Sequence, residues 1–449
     1  MLLRFRVANH RSLRDEQTLS FVSTPRRGAP KPRATEIPPA VSVAGIYGAN
    51  ASGKSNVLDA LRWMIEAIAT SQTRWSPGGG VPRHPFLFAE EYGTLLSFYE
   101  LDFLYEGVRY SYGFEVDNEA VVGEWLNSFP HGRVRRLFER TGPDKYDFGR
   151  TLAGENVRIA KLTRENALYL SSAASNNHPL LRGIHSALVT RNAFIRQGHR
   201  HEQARLLATM SLLDDGLVSH YVDPFLQLAD LGVEGAVLEE MVLTPEREAQ
   251  IAAFREAVSR RGESIDADVL RKRITLRRGG TDATLPLDEE SDGTRVWLSL
   301  IVFAALCLES GNVLVVDEID SSLHPVLSST LIRMFKDAEI NRNSAQLLFA
   351  SHDTTLLGSM LEDKILEREE VWFTEKDRDG ATELFPLAEF HPRNDENVER
   401  GYLQGRYGAV PYVNFEKIRN VFRERRNDLD EPTAQPSTPT AALAEEAGS

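Results

Sequence analysis

The chain has 449 residues, 52 Lys and Arg against 65 Asp and Glu, and 42% hydrophobic residues, so its formal net charge is −13. This length and apolar content predict a globular protein with two or three domain-sized units and a sizeable core. The acidic balance argues against a chain coated in nucleic acid through overall basicity. Local contact with nucleic acid stays open at the basic clusters 133–136 and 271–273.

Cysteine content and apolar runs indicate the compartment. Cys307 is the only cysteine, which excludes an internal disulfide and fits a reducing cytosol. Arginines interrupt the first apolar residues, so the start of the chain does not resemble a signal peptide. The longest apolar run, residues 297–308, is too short to cross a bilayer and predicts a buried helix. We therefore expect a cytoplasmic protein with no membrane span.

The first 150 residues predict strands arranged around one helix. Alternation of Leu3, Phe5 and Val7 with polar neighbours predicts a half-buried strand. Residues 24–40 are rich in Pro, Arg and Lys and predict a loop. An apolar, β-branched run at 41–47 predicts a buried strand. From Ser55 onward the apolar residues follow a helical period and share one face.

The hairpin and the later elements follow in chain order. Residues 96–116 predict two strands joined by a Glu106-Gly107 turn. Residues 155–270 are mostly helical in pattern without a persistent heptad, which excludes a long coiled coil. The remaining predictions are strands at 284–287, 313–316 and 345–350, a helix at 294–308, a hairpin around Asp379-Gly380, and a disordered tail at 428–449.

The strongest motif is a phosphate-binding loop, G-x-x-x-x-G-K-S, at residues 48–55. Its glycines allow a tight turn whose backbone N–H groups converge on phosphate oxygens, and the following helix presents its positive N-terminus to the same anion. Lys54 can pair with the β- and γ-phosphates, and the Ser55 hydroxyl can ligate Mg²⁺. The loop lies between a predicted strand and a predicted helix, the context that the motif requires. The predicted nucleotide-binding residues are Gly48, Asn50, Gly53, Lys54, Ser55 and Asn56.

Two carboxylates and a histidine follow the later strands. Because a doubly wound sheet binds ligands at the carboxyl ends of its strands, Asp317 is expected beside the phosphate loop as a second Mg²⁺ ligand. Glu318 is a candidate general base that accepts a proton from an attacking water. His352, after the next strand, is a candidate partner of the γ-phosphate. A solvated strand end and a structural histidine are the alternatives, and the phosphate loop favours catalysis.

The order of these segments resembles the head of an ABC-type ATPase, closer to the SMC and OLD-like branch than to membrane transporters. The resemblance implies ATP and Mg²⁺ as ligands and His352 as the switch histidine. It also implies a signature at Ser291, Asp292 and Gly293 that caps the γ-phosphate of a partner chain in a head-to-head dimer. The implied D-loop, which couples the two sites, contains Ser321 and Ser322.

Two departures from that family's pattern are visible. The signature is Ser-Asp-Gly, where the transporter form is Ser-Gly-Gly. No glutamine stands out as the Q-loop residue, and Gln72 is the nearest in sequence to the loop. A GTPase is disfavoured because no Asn-Lys-x-Asp-like base reader is found.

Three further stretches, at 168–171, 225–232 and 401–409, are similar to those of the RloA-like ATPases of restriction and phage-defence operons. We derive no chemistry for them, and packing is their default role. The similarity implies a defence function in which the ATP state controls a separate, nuclease-like effector protein. A role in nucleic-acid processing is the other form of this hypothesis.

The predicted fold class is α/β: a P-loop NTPase head of ABC type, with a mixed or parallel sheet flanked by helices and a β-rich N-terminal lobe. We expect an N-terminal lobe at 1–150, a mainly helical insertion at 151–271, a C-terminal lobe at 272–427 and a tail at 428–449. The expected assembly is a homodimer or higher homo-oligomer.

Two alternatives remain open at this point. One is a nucleotide-switched scaffold or sensor with little turnover. The other is an OLD-like nuclease component acting on DNA, for which Asp377 and Asp379 would be metal ligands. A metal site at His199 and His201 is less favoured, because no Cys or carboxylate partner is evident.

Overall fold

A computed structural model describes residues 1–23, 38–196, 199–216, 218–229, 232–260, 268–279, 284–358, 364–393, 396–410 and 415–430. Met1–Val410 form one compact unit and Pro411–Ser449 a second. The predicted loop at 24–40 and the predicted tail at 428–449 lie outside the described residues, apart from residues 38–40 and 428–430.

The strands and helices in chain order are as follows. The strands are β1 (Leu2–Ala8), β2 (Gln17–Ser20), β3 (Val43–Gly48), β4 (Ser97–Tyr105), β5 (Val108–Val116), β6 (Val121–Phe129), β7 (Arg135–Thr141), β8 (Tyr146–Phe148), β9 (Asn192–Arg196), β10 (Val233–Glu240), β11 (Lys272–Arg278), β12 (Thr284–Pro286), β13 (Val313–Asp317), β14 (Gln346–Ala350), β15 (Val371–Lys376) and β16 (Thr382–Pro386). The helices are α1 (Lys54–Thr70), α2 (Asn156–Leu162), α3 (Tyr169–Ser175), α4 (Leu181–Thr190), α5 (His199–Asp214), α6 (Ser219–Leu228), α7 (Pro245–Arg260), α8 (Asp292–Ser310), α9 (Pro325–Lys336), α10 (Val398–Leu403) and, in the second unit, α11 (Phe415–Asp430).

An antiparallel sheet of seven strands, in the order β2-β1-β4-β5-β6-β7-β8, forms the N-terminal part of the first unit. Its central hairpin joins β4 to β5 through Glu106 and Gly107, whose φ angles are 48° and 75°. Two consecutive positive φ angles give the turn a twist that matches that of the flanking strands. The hairpin predicted from the sequence is confirmed.

A second sheet positions the motif residues. Its order is β16-β15-β3-β14-β13-β9, in which β16 is antiparallel to β15 and the other neighbours pair in parallel. All six residues of β3 are buried, as expected of a strand covered on both faces. The carboxyl ends of β3, β14, β13 and β9 therefore meet at one edge of the sheet.

Helices cover both faces of this second sheet. α1 buries the predicted apolar face, including Val57, Leu61 and Met64, in a core shared with both sheets. α8 packs on the opposite face with α9. α8 is long and apolar enough to cross a membrane, but 67% of its apolar window is buried inside the fold. The buried helix predicted at 297–308 is confirmed, as is the α/β fold class with a strand–loop–helix at residues 43–70.

The segment predicted as a helical insertion contains α2 to α7 and also two strands. β9 joins the second sheet beside β13, and β10 pairs with β11 in a small third sheet with β12. The apolar side chains of the 168–171 stretch are buried. In the 401–409 stretch, Tyr402 and Tyr407 stack against Phe373 of β15. The boundaries of the lobes and the insertion remain a prediction.

Candidate functional site

The loop between β3 and α1 fits closely against the β15–β16 hairpin. Gly48 and Gly53 have φ angles of 155° and 110°, which favour glycine. A Cβ at Gly48 would lie 2.5 Å from the Thr374 carbonyl oxygen, and one at Gly53 would overlap the Thr382 side chain. The Thr382 hydroxyl also donates to the Ser52 carbonyl at 2.8 Å. The hairpin thus fixes the loop's backbone and requires glycine at both positions.

Lys54 is the first residue of α1, and its side chain reaches back into the centre of this loop; only 5% of the residue's surface is exposed. Its Nζ donates to the Gly48 and Ala49 carbonyls at 2.8 and 3.1 Å and lies 3.4 Å from His352 Nδ1. Burial lowers the pKa of Lys54 to about 8, and the neighbouring carboxylates of Asp317, Asp320 and Glu318 offset only part of that effect. The ammonium is therefore held where the loop's backbone converges.

The two predicted magnesium ligands meet at the edge of the sheet. Ser55 Oγ donates to Asp317 Oδ1 at 3.0 Å. Burial raises the pKa of Asp317, while the bond from Ser55 and the charge of Arg196 oppose that rise. Arg196 ends β9 and is the register partner of Asp317 in the parallel ladder. Arg196 was missed by the sequence analysis because β9 reaches this place only through long-range pairing.

Glu318 begins a strained turn after β13. Its φ is 57° and that of Ser322 is 61°, values that cost a non-glycine residue on the order of 1 kcal/mol or more. The Ser321 N–H donates to the Glu318 carbonyl at 2.9 Å, and Ile319 N–H donates to the Ala350 carbonyl of β14 at 3.0 Å. The side chain of Glu318 is exposed, so a water molecule can reach its carboxylate.

His352 is exposed at the end of β14, and Asp320 holds its backbone. Asp320 Oδ1 accepts from Ser351 Oγ at 2.7 Å and from the His352 N–H at 3.2 Å. Partial burial of the ring and the charge of Lys54 lower the pKa of His352, which favours the neutral imidazole at pH 7. Asp320 was not predicted, because its contacts depend on β14 lying beside β13.

The predicted signature caps α8. Ser291 Oγ accepts from the Thr294 N–H at 3.2 Å. A Cβ on Gly293 would lie 2.8 Å from the Ser322 carbonyl oxygen, so the signature and the D-loop segment of one chain are in contact. Within the described residues, no hydrogen bond or ion pair joins 291–293 to the phosphate loop of the same chain.

Two predicted nucleotide ligands and Gln72 have other neighbours. Asn56 Nδ2 donates to Ser12 Oγ at 2.6 Å, while Asn50 is exposed on the loop. Gln72 accepts from Ser172 Oγ at 2.9 Å beyond the C-terminal end of α1, at the opposite end of that helix from the loop. A different glutamine, Gln197, directly follows β9 in the sequence, although its own placement lies outside the described residues.

The acidic pair considered for a nuclease forms a turn. Asp377 Oδ1 accepts from the Asp379 and Ala381 N–H groups at 2.9 and 2.8 Å. Arg14 pairs with Asp377 and Asp379 at 3.3 and 3.4 Å. Among the residues that the structure describes, no group of three or more His, Cys, Asp or Glu side chains could hold a metal ion. His199, of the less favoured His199–His201 pair, has no described side chain.

Acids of the same chain pair with one residue of the first basic cluster and with two of the second. Arg136 pairs with Glu139 and with Asp147. In the second cluster Lys272 pairs with Asp214 and Arg273 with Glu239. These pairs reduce the positive charge that either cluster offers to nucleic acid.

Comparison with known proteins gives a family match. The family described as "AAA domain, putative AbiEii toxin, Type IV TA system" matches residues 43–358. No match was found among curated proteins.

Two solved structures resemble the chain at low identity. One is an SmcHead bound to the C-winged helix domain of ScpA, with 13% identity, a TM-score of 0.46, and 86% of this chain and 97% of that chain covered. The other is an Smc head domain with an extended coiled coil bound to the C-terminal domain of ScpA derived from Pyrococcus furiosus, with 12% identity, a TM-score of 0.38, and coverage of 95% and 99%. Similarity at this level does not extend to ligands or partners.

Proposed function

This chain belongs to the AAA-domain family that matches residues 43–358, and from that premise we propose that it binds Mg²⁺·ATP at residues 48–55 and hydrolyses it. The proposed enzyme works as one half of a head-to-head dimer of ABC type. AAA membership confirms the predicted AAA family and supports ATP hydrolysis, and the RloA-like detail remains part of the proposal.

The contact between Ser55 and Asp317 carries this proposal. The two side chains come from segments 262 residues apart and meet at 3.0 Å, at the edge of the sheet where ligands bind in such folds. A hydroxyl and a carboxylate are oxygen donors that suit Mg²⁺. When bound there, Mg²⁺ would neutralise charge on the phosphate oxygens.

The chain's own residues divide the remaining chemistry. Lys54 and the N-terminal N–H groups of α1 orient the phosphates. The exposed Glu318 carboxylate accepts the proton of the attacking water. The neutral imidazole of His352 has one ring N–H to donate to a phosphate oxygen. Gly48 and Gly53 leave the loop free of side chains where those oxygens approach.

A second copy of the chain would complete the site. Ser291 is exposed at the N-terminus of α8, and the phosphate loop of its own chain makes no described bond to it. A helix N-terminus with an exposed hydroxyl attracts an anion, which suits a γ-phosphate held by the other protomer. Two-fold symmetry then gives two equivalent shared sites.

The ATP state of this dimer is proposed to control a separate effector protein. The family description names a toxin of a type IV toxin–antitoxin system, which supports a role in a system of more than one protein. We place the chain in phage defence or nucleic-acid processing, with a nuclease-like effector and in the cytoplasm.

Direct binding and turnover measurements test the nucleotide site. Wild-type protein should bind a fluorescent ATP analogue and release phosphate with Mg²⁺ present. Lys54→Ala should bind neither ATP nor its analogue tightly, because the cation at the centre of the loop is removed. Lys161→Ala, which removes an exposed lysine, is the matched control. Unchanged ATP affinity in Lys54→Ala would refute this site, whereas tight binding without turnover in the wild type would favour the scaffold alternative.

A further inference from the structure

Asp320 ties together two segments that carry proposed catalytic side chains. It belongs to the turn that begins at Glu318, and its Oδ1 accepts from Ser351 Oγ at 2.7 Å and from the His352 N–H at 3.2 Å. Ser351 is fully buried, and its N–H donates to the Ile46 carbonyl of β3 at 3.0 Å. The Asp320 carboxylate therefore fixes the backbone of His352 relative to β13, and Ser351 joins the same segment to β3.

The other side of the same turn meets the signature. The carbonyl oxygen of Ser322 lies 2.8 Å from where a Cβ on Gly293 would be. The turn itself is closed by the Ser321 N–H bond to the Glu318 carbonyl, 2.9 Å long. Because Glu318 and Ser322 both have positive φ angles, the turn holds a strained shape that its neighbours must maintain.

The contacts continue from His352 to the phosphate loop. His352 Nδ1 lies 3.4 Å from Lys54 Nζ, which donates to the Gly48 carbonyl at 2.8 Å. Gly293, the 318–322 turn, Asp320, His352 and Lys54 thus form an unbroken series of contacts within one chain. Packed and hydrogen-bonded series of this kind can transmit a displacement, but only coupling measurements establish that they do.

We propose that Asp320 is a positioning residue that links the turn carrying Glu318 to His352, so that a displacement of Gly293 or Ser322 reaches Lys54 of the same chain. This inference rests on the proposed ATP hydrolysis and adds a connection within each chain to the contact proposed between chains. Asp320 touches no phosphate in this scheme, and its hydrogen bonds act through His352.

Substitutions at Asp320 separate its hydrogen bonds from its charge. Asp320→Ala removes both bonds, and kcat should fall on the order of 10²-fold with KM nearly unchanged, since misplacing a catalytic group by an ångström has such an effect. Asp320→Asn retains a carbonyl oxygen that can accept both bonds, so it should restore kcat to within a few-fold of wild type. Asp337→Ala is the matched control: Asp337 also accepts two hydrogen bonds, in its case from the backbone N–H groups of Glu339 and Ile340, after α9.

A double-mutant cycle and a spectrum complete the test. If Asp320 acts through His352, the Asp320→Ala, His352→Ala protein should be no slower than His352→Ala alone. In nucleotide-free protein, the His352 ring resonance, assigned by its loss in His352→Ala, should shift in Asp320→Ala and keep its position in Asp337→Ala.

The outcomes distinguish this inference from the proposed function. Additive losses in the cycle, an Asp320→Asn protein as slow as Asp320→Ala, or an unmoved His352 resonance in Asp320→Ala would each overturn it. A wild-type protein without ATP turnover would refute the proposed hydrolysis, and the resonance would then decide alone whether Asp320 positions His352.

Discussion

At the scale of single residues, the state of Lys54 sets how nucleotide affinity depends on pH. Its pKa is lowered from 10.5 to about 8 by burial, whereas a bound triphosphate requires the charged ammonium. As pH rises above 8, binding must be accompanied by proton uptake, and the Kd for ATP should increase by up to about tenfold per pH unit. Calorimetric titrations at pH 7.5 and 9.5, in buffers of different ionisation enthalpy, measure both the Kd for ATP and the number of protons taken up on binding.

Two controls check that Lys54 is the group responsible. Lys54→Arg stays charged throughout this range, so its ATP affinity should change little with pH. In nucleotide-free protein the same pKa shift has the opposite consequence: rising pH favours the folded state, whereas it weakens ATP binding. The unfolded chain binds more protons than the folded one between pH 8 and 10.5, so the free energy of unfolding should rise with pH relative to Lys54→Met. An ATP affinity that is equal at the two pH values in wild type would contradict the prediction.

The carboxylate of Glu318 gives a second prediction for a single side chain. Glu318→Gln keeps the shape of the side chain and removes only the proton acceptor, so ATP should bind normally while turnover falls about 10²–10⁴-fold. Single-turnover phosphate release measures the loss, and light scattering should show an ATP-dependent dimer accumulating. A wild-type rate in this variant would place the base elsewhere.

The sequence predicted residues whose positions follow from local order and missed those whose contacts depend on pairing between distant segments. Lys54 and Ser55 belong to a contiguous motif, and Asp317 ends an apolar strand, so their meeting at one edge of the sheet could be predicted. Asp320 and Arg196 carry no comparable local pattern. Their contacts exist because β14 and β9 lie on either side of β13. Local periodicity predicts a strand but does not indicate which strands become its neighbours.

At the scale of elements, a buried ion pair anchors α3 to the antiparallel sheet. Glu124 is fully buried and accepts from the Tyr169 and Leu170 N–H groups at 2.6 and 2.9 Å, at the start of that helix. Arg140, also buried, lies 3.9 Å away and donates to several loop carbonyls, including that of Ala167 at 2.7 Å. This arrangement gives the 168–171 stretch a structural explanation.

Removing Glu124 should therefore destabilise the first unit strongly. Glu124→Ala leaves a buried guanidinium without its counter-charge and two N–H groups without their acceptor, a change that costs about 3–5 kcal/mol. Urea denaturation followed by fluorescence would measure the loss. Glu139→Ala removes an exposed carboxylate of the same sheet that pairs with Arg136 and should change stability little. Similar losses in the two variants would contradict a special role for Glu124.

At the scale of the whole molecule, mixing two defective proteins tests whether sites are shared between chains. The structure shows that any side chain at Gly293 would displace Ser322 of the same chain, so Ser291 is the better position to change. Ser291→Asp can still cap α8 while placing negative charge against the partner's γ-phosphate. Lys54→Ala and Ser291→Asp should each be inactive alone.

An equal mixture should regain activity if the sites are shared. Half of the dimers are then mixed, with one intact site each, so up to about a quarter of wild-type sites should return. ATP occlusion, with Glu318→Gln present in both proteins, gives the clearest measurement. If the proteins exchange subunits and no nucleotide is occluded, Ser291 acts only as a helix cap.

The sequence predicted much of the architecture, and the remainder depended on pairing between distant segments. The 96–116 hairpin and the β3–loop–α1 unit were predictable because turn chemistry and a change of period mark them locally. β9 lies in a stretch whose pattern is mostly helical, and five residues are too few for a clear period. Its place beside β13 is set by the sheet as a whole.

The position of β3 in its sheet determines when the nucleotide site can exist during protein synthesis. β3 emerges from the ribosome early, yet its two neighbours, β14 and β15, begin at Gln346 and Val371. Pairing of such distant strands is a late and slow event in folding. A nascent chain therefore exposes its phosphate loop long before that loop has a supporting sheet. We therefore expect ATP binding only after translation has passed Pro386, where the β15–β16 hairpin that supports the loop ends, and no fragment ending before that residue should retain nucleotide.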